Sequence, residues 1–262
     1  MPLQPPPAGS LRARVLAGET LFGTFVGTGS PIVAELCARA GFDWLIVDLE
    51  HGAGTESDLL AQLHAIGERT TAIVRPQSTE RLRIGRALDY GAAGIMVPRL
   101  ETVAEVEEAL TYLRFPPEGV RGIALTTRGA GLAEVAHEGV AGLNASMVGV
   151  FQVESPLAVE HAPAIAALDG VDVLFVGPAD LSHSMGIPGR FEEPAFVDAL
   201  RAVTAATERE GKAAGILLRT PADLDRYLEL GYRFIGIGSD LNFVIDGARA
   251  VVEAILARSA AR

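Results

Sequence analysis

Several residues that carry distinctive chemistry are almost missing from this chain. Its 262 residues include one cysteine, Cys37, one tryptophan, Trp44, and one lysine, Lys212; every other member of the 22 Lys+Arg is arginine. A single cysteine forms no internal disulfide, which fits a reducing cytoplasm. Cys37 falls on an apparent helix and reads as a small core residue rather than a nucleophile. A single lysine leaves one candidate for covalent amine chemistry. Apolar runs are all short, and none approaches the ~18 residues of a membrane span. The start, Met1 to Ser10, is proline-rich and has neither the basic opening nor the apolar core of a signal peptide; it reads as a disordered lead-in. Basic residues are outnumbered, giving a formal net charge of −11, which argues against nucleic acid as a partner. Small anions stay possible, because a few arginines can still face one cleft.

What the chain does have is apolar residues, 49% of the total, in short runs of Val, Ile, Leu and Ala such as buried parallel strands produce. Strand candidates are Leu21 to Val26, Trp44 to Asp48, Thr71 to Arg75, Gly94 to Pro98, the run from Val150, Val173 to Val176, Ala213 to Leu217 and Phe234 to Gly238. Helical stretches lie between them. One phrase recurs around Gly41, Gly91, Gly170, Gly211 and Gly231: helix, glycine, two or three residues, apolar strand. Glycine just past a helix supplies the left-handed turn into the next strand. An early stretch, strand then Gly27-Thr28-Gly29 then helix, imitates a dinucleotide-binding fingerprint, but the third glycine position holds Ile32 and the fingerprint fails. About eight strands in one alternating series, in a chain near the ~250 residues usual for the fold, predict a single-domain α/β chain of the (β/α)8 TIM-barrel class over residues 11–262. The irregular segment Phe115 to Asn144 is an extended loop or helical insertion after strand four, and a C-terminal helix runs from about Asp246 to Ala257.

The clearest unit is Val150 to Asp180. Gln152-Val153-Glu154 closes one apolar run, Ser155-Pro156 starts a helix with a capping hydroxyl and a proline at the first helical position, and a second run leads to Gly177-Pro178-Ala179-Asp180. A right-handed βαβ crossover puts Glu154 and Asp180 at the same end of parallel strands. Two carboxylates there suit a Mg²⁺-type cation completed by water and substrate oxygens; alternatively, Glu154 caps a helix and Asp180 closes a turn. Barrel enzymes carry their chemistry on the loops after the strands, and those positions are polar: Asp48, Glu50 and His51, then Arg75, then Gln152 and Glu154, then Asp180. His51 behind two acids suits proton transfer, or is an exposed loop histidine. Arg75, held extended by Pro76, suits a carboxylate or enolate, or pairs with a neighbouring acid. Asp89 alone reads as a surface acid. Lys212, in Gly211-Lys212-Ala213, falls at the opposite, N-terminal face of a barrel.

Phe42-Asp-Trp-Leu-Ile-Val-Asp48-Leu-Glu50-His51-Gly, Val74-Arg75-Pro76, Gln152-Val-Glu154-Ser and Val176-Gly-Pro-Ala-Asp180-Leu-Ser resemble the metal-dependent pyruvate aldolases of the 4-hydroxy-2-oxoheptanedioate aldolase family. That family includes 2-keto-3-deoxy sugar-acid aldolases and lies near the citrate lyase β-subunits. The resemblance spans about Leu16 to Ala257. It implies a divalent metal (Mg²⁺, Mn²⁺ or Co²⁺) on Glu154 and Asp180, with Arg75 on the keto or enolate oxygen and His51 as general base through water, partnered by Asp89. It implies that Gln152 touches the keto acid, that the amides around Ala179 and Asp180 take its carboxylate, and that Asp48 and Glu50 support them. The implied reaction is reversible cleavage of a 4-hydroxy-2-oxo acid to pyruvate and an aldehyde, with pyruvate or oxaloacetate and an aldehyde as small-molecule substrates, in a cytoplasmic homo-oligomer, typically a hexamer, whose C-terminal helix packs on a neighbouring barrel. No membrane or nucleic acid partner is implied. The chain departs from the pattern at Pro76-Gln77-Ser78-Thr79 and at Arg121 to Leu132, both bearing on the aldehyde half. Other readings are a phosphoenolpyruvate-mutase-like or acyl-CoA (citryl or malyl) C–C lyase, and a non-catalytic barrel that binds a keto acid.

Overall fold

The computed structural model describes residues 7–260. Eight parallel strands close into a barrel in sequential order: β1 (Leu21–Val26), β2 (Trp44–Asp48), β3 (Thr71–Arg75), β4 (Gly94–Val97), β5 (Val148–Val153), β6 (Val173–Val176), β7 (Ala213–Leu218) and β8 (Phe234–Ser239), with β8 pairing back onto β1. Helices follow the strands: α2 (Pro31–Arg39), α3 (Glu56–Ile66), α4 (Arg81–Asp89), α5 (Val103–Leu113), α7 (Pro156–Ala166), α8 (Pro178–Ser184), α9 (Pro194–Arg209), α10 (Leu224–Glu229) and α11 (Asp240–Ala260). The five recurrent glycines do what that phrase requires; Gly91, for one, has φ 100° between α4 and β4. Among the described residues, no helix is long and apolar enough to cross a membrane.

Alternation along each strand divides the core in two. One row packs against the surrounding helices, with Leu45, Val47, Val74, Ile95, Leu174 and Ile216 among its members. The other points into the barrel, with Trp44 and Ile46, Ile73, Met96, Val148 and Val150, Val173 and Phe175, and Phe234. Trp44 stacks on Phe234 at 4.2 Å between centroids, and Gly23 opposite leaves it room, since a Cβ there would meet the indole at 2.0 Å.

The N-terminal face is closed by a helix that the sequence pattern does not announce, α1 (Leu11–Leu16), capped by the Ser10 hydroxyl accepting from the Ala13 amide. Of the expected lead-in, residues 1–6 lie outside the described residues. Leu11 and Val15 of α1 join the inner core, and Arg12 reaches the fully buried Asp172 with Nε at 3.0 and 3.1 Å from its two oxygens. Burial pushes the Asp172 carboxyl up, against the pull of Arg12 and of the Gly149 amide that donates to it. Phe115 to Asn144 is the expected insertion, placed after α5; it holds two short 3-10 turns and runs into α6 (Val140–Ser146). Helix α8 begins at Pro178, almost directly after β6. One further boundary differs from the sequence reading. Helix α11 begins at Asp240, six residues early, because the Ser239 hydroxyl accepts from the Asn242 amide and opens the helix directly from the strand.

Candidate active site

Four polar residues lie on the inward row where it runs out of the barrel core. On β2 the inward sequence is Trp44, Ile46, Asp48; on β3 it is Ile73, Arg75; on β5 it is Val148, Val150, Gln152, and then Glu154 just past the strand end. The top of the barrel is therefore a polar layer laid on an apolar floor. Asp48 and Arg75 are register partners across β2 and β3. The Arg75 Nε and Nη2 donate to Asp48 Oδ1 and Oδ2 at 2.9 and 2.7 Å. Its Nη1 lies 3.1 Å from Glu50 Oε2 and 3.5 Å from Gln152 Oε1, and its guanidinium sits 5.1 Å from the Phe25 ring centroid. Burial alone would pull the Arg75 pKa down, but Asp48, Glu50 and Glu154 together leave it raised. Asp48 also accepts from the Glu50 and His51 amides at 3.0 and 3.3 Å, which fixes the turn that carries His51.

Gln152 Nε2 donates to Glu154 Oε1 at 2.6 Å. Glu154 is closely fitted: a Cβ added at Gly177 would stand 2.7 Å from Oε1, so glycine at the end of β6 makes space for this side chain. Burial, then Asp180, then Glu50 push the Glu154 carboxyl up to about 7, with Arg75 and Arg99 opposing them. Glu154 and Asp180 share a small cavity of about 240 Å³ with Arg99 and Ser155. Asp180 itself is exposed, in the first turn of α8. Among the described residues no three His, Cys, Asp or Glu gather as a metal cluster. The donor set is therefore two carboxylates, one of them pushed up by burial and by its acidic neighbours. That suits a hard divalent cation which takes its other ligands from substrate and water.

His51 is at the rim, its side chain 69% exposed and its Nε2 3.9 Å from Glu50 Oε2. It lines a cavity of about 430 Å³ together with Asp48, Arg75 and Ala179. Asp89 is not brought to His51 within the chain. It lies at the far end of α4, toward the N-terminal face, where it accepts from the buried Arg121 Nη2 at 2.9 Å. Both line a separate cavity of about 660 Å³ on the outside of the barrel. Arg128 lines that outer cavity too, so neither arginine of the insertion faces the polar layer of this chain.

Three residues that the sequence reading passed over stand near the site. Arg99, with φ 50° just past β4, flanks Glu154. Asp240, almost wholly buried, accepts from the Gly27 and Thr28 amides and holds the loop after β1. Arg219, just past β7, lines the cavity that contains His51. Arg219 and Asp240 obey the rule that strand ends carry chemistry, and were hidden because their strands run one residue beyond the expected ends, to Leu218 and Ser239.

The family profile for HpcH/HpaI aldolase/citrate lyase matches residues 21–247. The hydroxypyruvate/pyruvate aldolase of Delftia acidovorans is 36% identical over 245 residues, covering 93% of this chain and 91% of its own. The 5-keto-4-deoxy-D-glucarate aldolase of Klebsiella pneumoniae subsp. pneumoniae is 35% identical over 244 residues, covering 93% and 95%. Among solved structures, an HpcH/HpaI aldolase/citrate lyase family protein from Burkholderia cenocepacia J2315 superposes with a TM-score of 0.88 at 35% identity, over 94% of this chain and 98% of that one.

Proposed function

The chain belongs to the HpcH/HpaI aldolase/citrate lyase family, and on that footing we propose that it is a carbon–carbon lyase, a pyruvate aldolase that reversibly cleaves 4-hydroxy-2-oxo acids to pyruvate and an aldehyde. The observation that carries the reading is the polar layer itself: Arg75, Gln152 and Glu154 meet from the inward rows of β3 and β5, and Arg75 lines a cavity of about 430 Å³ that also holds His51.

Glu154 and Asp180 would hold a divalent cation, Mg²⁺, Mn²⁺ or Co²⁺. Bound there, such an ion supplies Lewis-acid charge opposite the oxygens of the keto acid. Gln152 orients Glu154 and reaches Arg75 with its other end. Arg75, held among the strand ends by Asp48, puts a guanidinium charge beside the cavity that stabilises negative charge on the 2-keto oxygen as the bond breaks. The Ala179 and Asp180 amides, at the start of α8, receive the substrate carboxylate. In cleavage His51 takes the C4 hydroxyl proton, directly or through water. The C3–C4 electrons pass toward the keto oxygen, the aldehyde leaves, and C3 is then protonated to give pyruvate. In synthesis His51 returns the proton to the new hydroxyl.

Oligomer formation is part of the same proposal. Helix α11 exposes Phe243, Val244, Ile245, Val251, Val252, Ile255 and Leu256, a concentration of apolar side chains that favours packing on another copy. Asp89 keeps its role beside His51 only in such an assembly, where a neighbouring copy would bring it in. Cleavage of a panel of 4-hydroxy-2-oxo acids, coupled to lactate dehydrogenase, tests the reaction. Pyruvate release that depends on added divalent cation is expected, and no release from any member of the panel would refute the assignment. Mass by light scattering tests the expected hexamer.

A further inference from the structure

His51 owes its position to its backbone. The one ion-pair partner of its ring among the described residues is Glu50, whose Oε2 lies 3.9 Å from Nε2, beyond hydrogen-bond reach. The turn that carries it is gripped at two points. Asp48 Oδ1 accepts from the His51 amide at 3.3 Å, and two residues on the Ala53 amide donates to the Gly27 carbonyl at 2.7 Å. The two loops lie backbone against backbone. A Cβ at Gly52 would stand 2.9 Å from the Gly27 carbonyl oxygen, and one at Gly29 (φ 72°) would stand 2.7 Å from the Gly54 Cα. The His51 turn therefore goes where the loop of Gly27 to Gly29 is held.

That loop is held by Asp240. The last rung between β1 and β8 pairs Phe25 with Ser239, and Asp240, the next residue, continues the connection with its side chain. Its Oδ1 accepts from the Gly27 and Leu241 amides at 2.9 and 2.8 Å. Its Oδ2 accepts from the Thr28 amide at 3.0 Å and the Thr28 hydroxyl at 2.7 Å. Each oxygen thus takes two hydrogen bonds, as a carboxylate can, and all four donors are neutral. The residue is 1% exposed. Helix α11 does not need it as a cap, because the Ser239 hydroxyl already accepts from the Asn242 amide. Burying a carboxylate on neutral donors is costly unless its hydrogen bonds are all made, and three of these four go to the loop that steadies His51. Gly27, Gly52, His51 and Leu241 line one cavity, which Arg75 also lines.

We propose that Asp240 is a positioning residue: through Gly27 and Thr28 it holds the loop against which the His51 turn packs, and so sets the imidazole where it exchanges a proton with the C4 hydroxyl. The assignment rests on the aldolase reading and deepens it. Asp240 and Thr28 touch no reacting atom, and their effect reaches the reaction only through His51. Oxaloacetate decarboxylation, which moves no hydroxyl proton, is indifferent to them.

The test is a double-mutant cycle read on two reactions, cleavage of a 4-hydroxy-2-oxo acid and decarboxylation of oxaloacetate. Asp240→Asn turns one acceptor into a donor that faces donors. It should lower kcat for cleavage on the order of 10²-fold, as misplacement of a reacting group does. Thr28→Val is the gentler variant and decides the matter even where Asp240→Asn is too unstable to assay. It removes one hydroxyl from a half-buried loop side chain, keeps the backbone bonds, and should lower kcat about tenfold. Thr28→Ser should restore it. All three should leave decarboxylation, and KM for the keto acid, unchanged. In a His51→Ala background neither Asp240→Asn nor Thr28→Val should slow cleavage further, since the group they position is gone. Equal losses in the two reactions, a further fall in the His51→Ala background, or full cleavage activity in Thr28→Val and Asp240→Asn overturn the positioning role while leaving the aldolase reading intact. A wild type that decarboxylates oxaloacetate and cleaves no 4-hydroxy-2-oxo acid overturns the aldolase reading and this assignment with it.

Discussion

Asp48 and Arg75, register partners on neighbouring strands, form a two-pronged ion pair at 2.9 and 2.7 Å with both side chains 8% exposed. The pair is both a strut and a part of the proposed site. Asp48→Ala should leave a buried guanidinium short of its main partner and cost about 3–5 kcal/mol of stability. Replacing both, Asp48→Leu with Arg75→Met, should recover most of that loss while leaving the protein inactive. Urea unfolding of the three proteins checks this; a double variant as unstable as Asp48→Ala would show that the strands need the charges themselves.

Glu154 makes stability depend on pH. Its carboxyl is raised from 4.5 to about 7, by burial first and then by Asp180 and Glu50. A raised acid keeps its proton in the folded state after the unfolded chain has lost it. Between those two values the folded protein therefore holds more protons, and stability falls as pH rises across that window, levelling off above it. The expected loss is up to about 3 kcal/mol in metal-free protein. Asp172 shifts in the same direction, so the contribution of Glu154 is the difference between wild type and Glu154→Gln. Thermal melts from pH 4 to pH 8 without metal should show the steeper fall in the wild type. Added Mn²⁺ should stabilise the wild type increasingly toward pH 7 and Glu154→Gln hardly at all; equal stabilisation of both would remove Glu154 from the metal site.

His51 is separable from the rest of the site because decarboxylation of oxaloacetate removes no hydroxyl proton. His51→Ala should slow aldol cleavage by about 10²–10⁴-fold and oxaloacetate decarboxylation far less, whereas Arg75→Ala should impair both. Parallel assays of the two reactions on the two variants decide it. Equal loss in His51→Ala would mean that this exposed side chain shapes the cavity instead of moving a proton.

The barrel was legible because its two signals are local. Each strand is a short apolar run, helices α2, α4, α7, α9 and α10 reach the next strand through a glycine, and the strand bounds at Leu21–Val26, Trp44–Asp48 and Thr71–Arg75 coincide with those read from the sequence. The polar ends Asp48, Arg75, Gln152 and Glu154 stood out for the same reason: each interrupts an apolar run. What could not be read locally depends on distant partners. Arg12 and Asp172 are 160 positions apart, and nothing near either marks them as a buried pair. Asp89 looks like a surface acid in its own helix, and its neighbour Arg121 comes from the insertion. Arg219 was missed because Leu218 extends the strand by one residue.

The Arg12–Asp172 pair should behave as pure structure. It closes the N-terminal face, remote from the polar layer, and Arg12 also donates to the Ala145 carbonyl at 2.9 Å. Asp172→Ala leaves that arginine buried and removes the acceptor of the Gly149 amide, so about 3–5 kcal/mol of stability should be lost. At a temperature where the variant is still folded, its kcat for oxaloacetate decarboxylation should match the wild type. A large fall in kcat without loss of folded protein would show that the two faces of the barrel are coupled.

The scarcity of lysine bears on mechanism. Imine-forming aldolases need a lysine amine in the cleft, and this chain has only Lys212. Lys212 immediately precedes β7, at the N-terminal face, where it acts on the Asp172 carboxyl that α1 covers. The strand places five residues of β7 between it and the end where Arg75, Gln152 and Glu154 gather, too far for its amine to reach a keto acid held there. Arginine cannot replace it as a nucleophile, since its guanidinium stays protonated. Catalysis should therefore survive borohydride added together with pyruvate, should be abolished by EDTA, and should return with Mg²⁺, Mn²⁺ or Co²⁺. Lys212→Arg should retain activity. A pyruvate adduct on Lys212 by mass spectrometry, or full activity after thorough chelation, would overturn the metal reading and with it the roles given to Glu154 and Asp180.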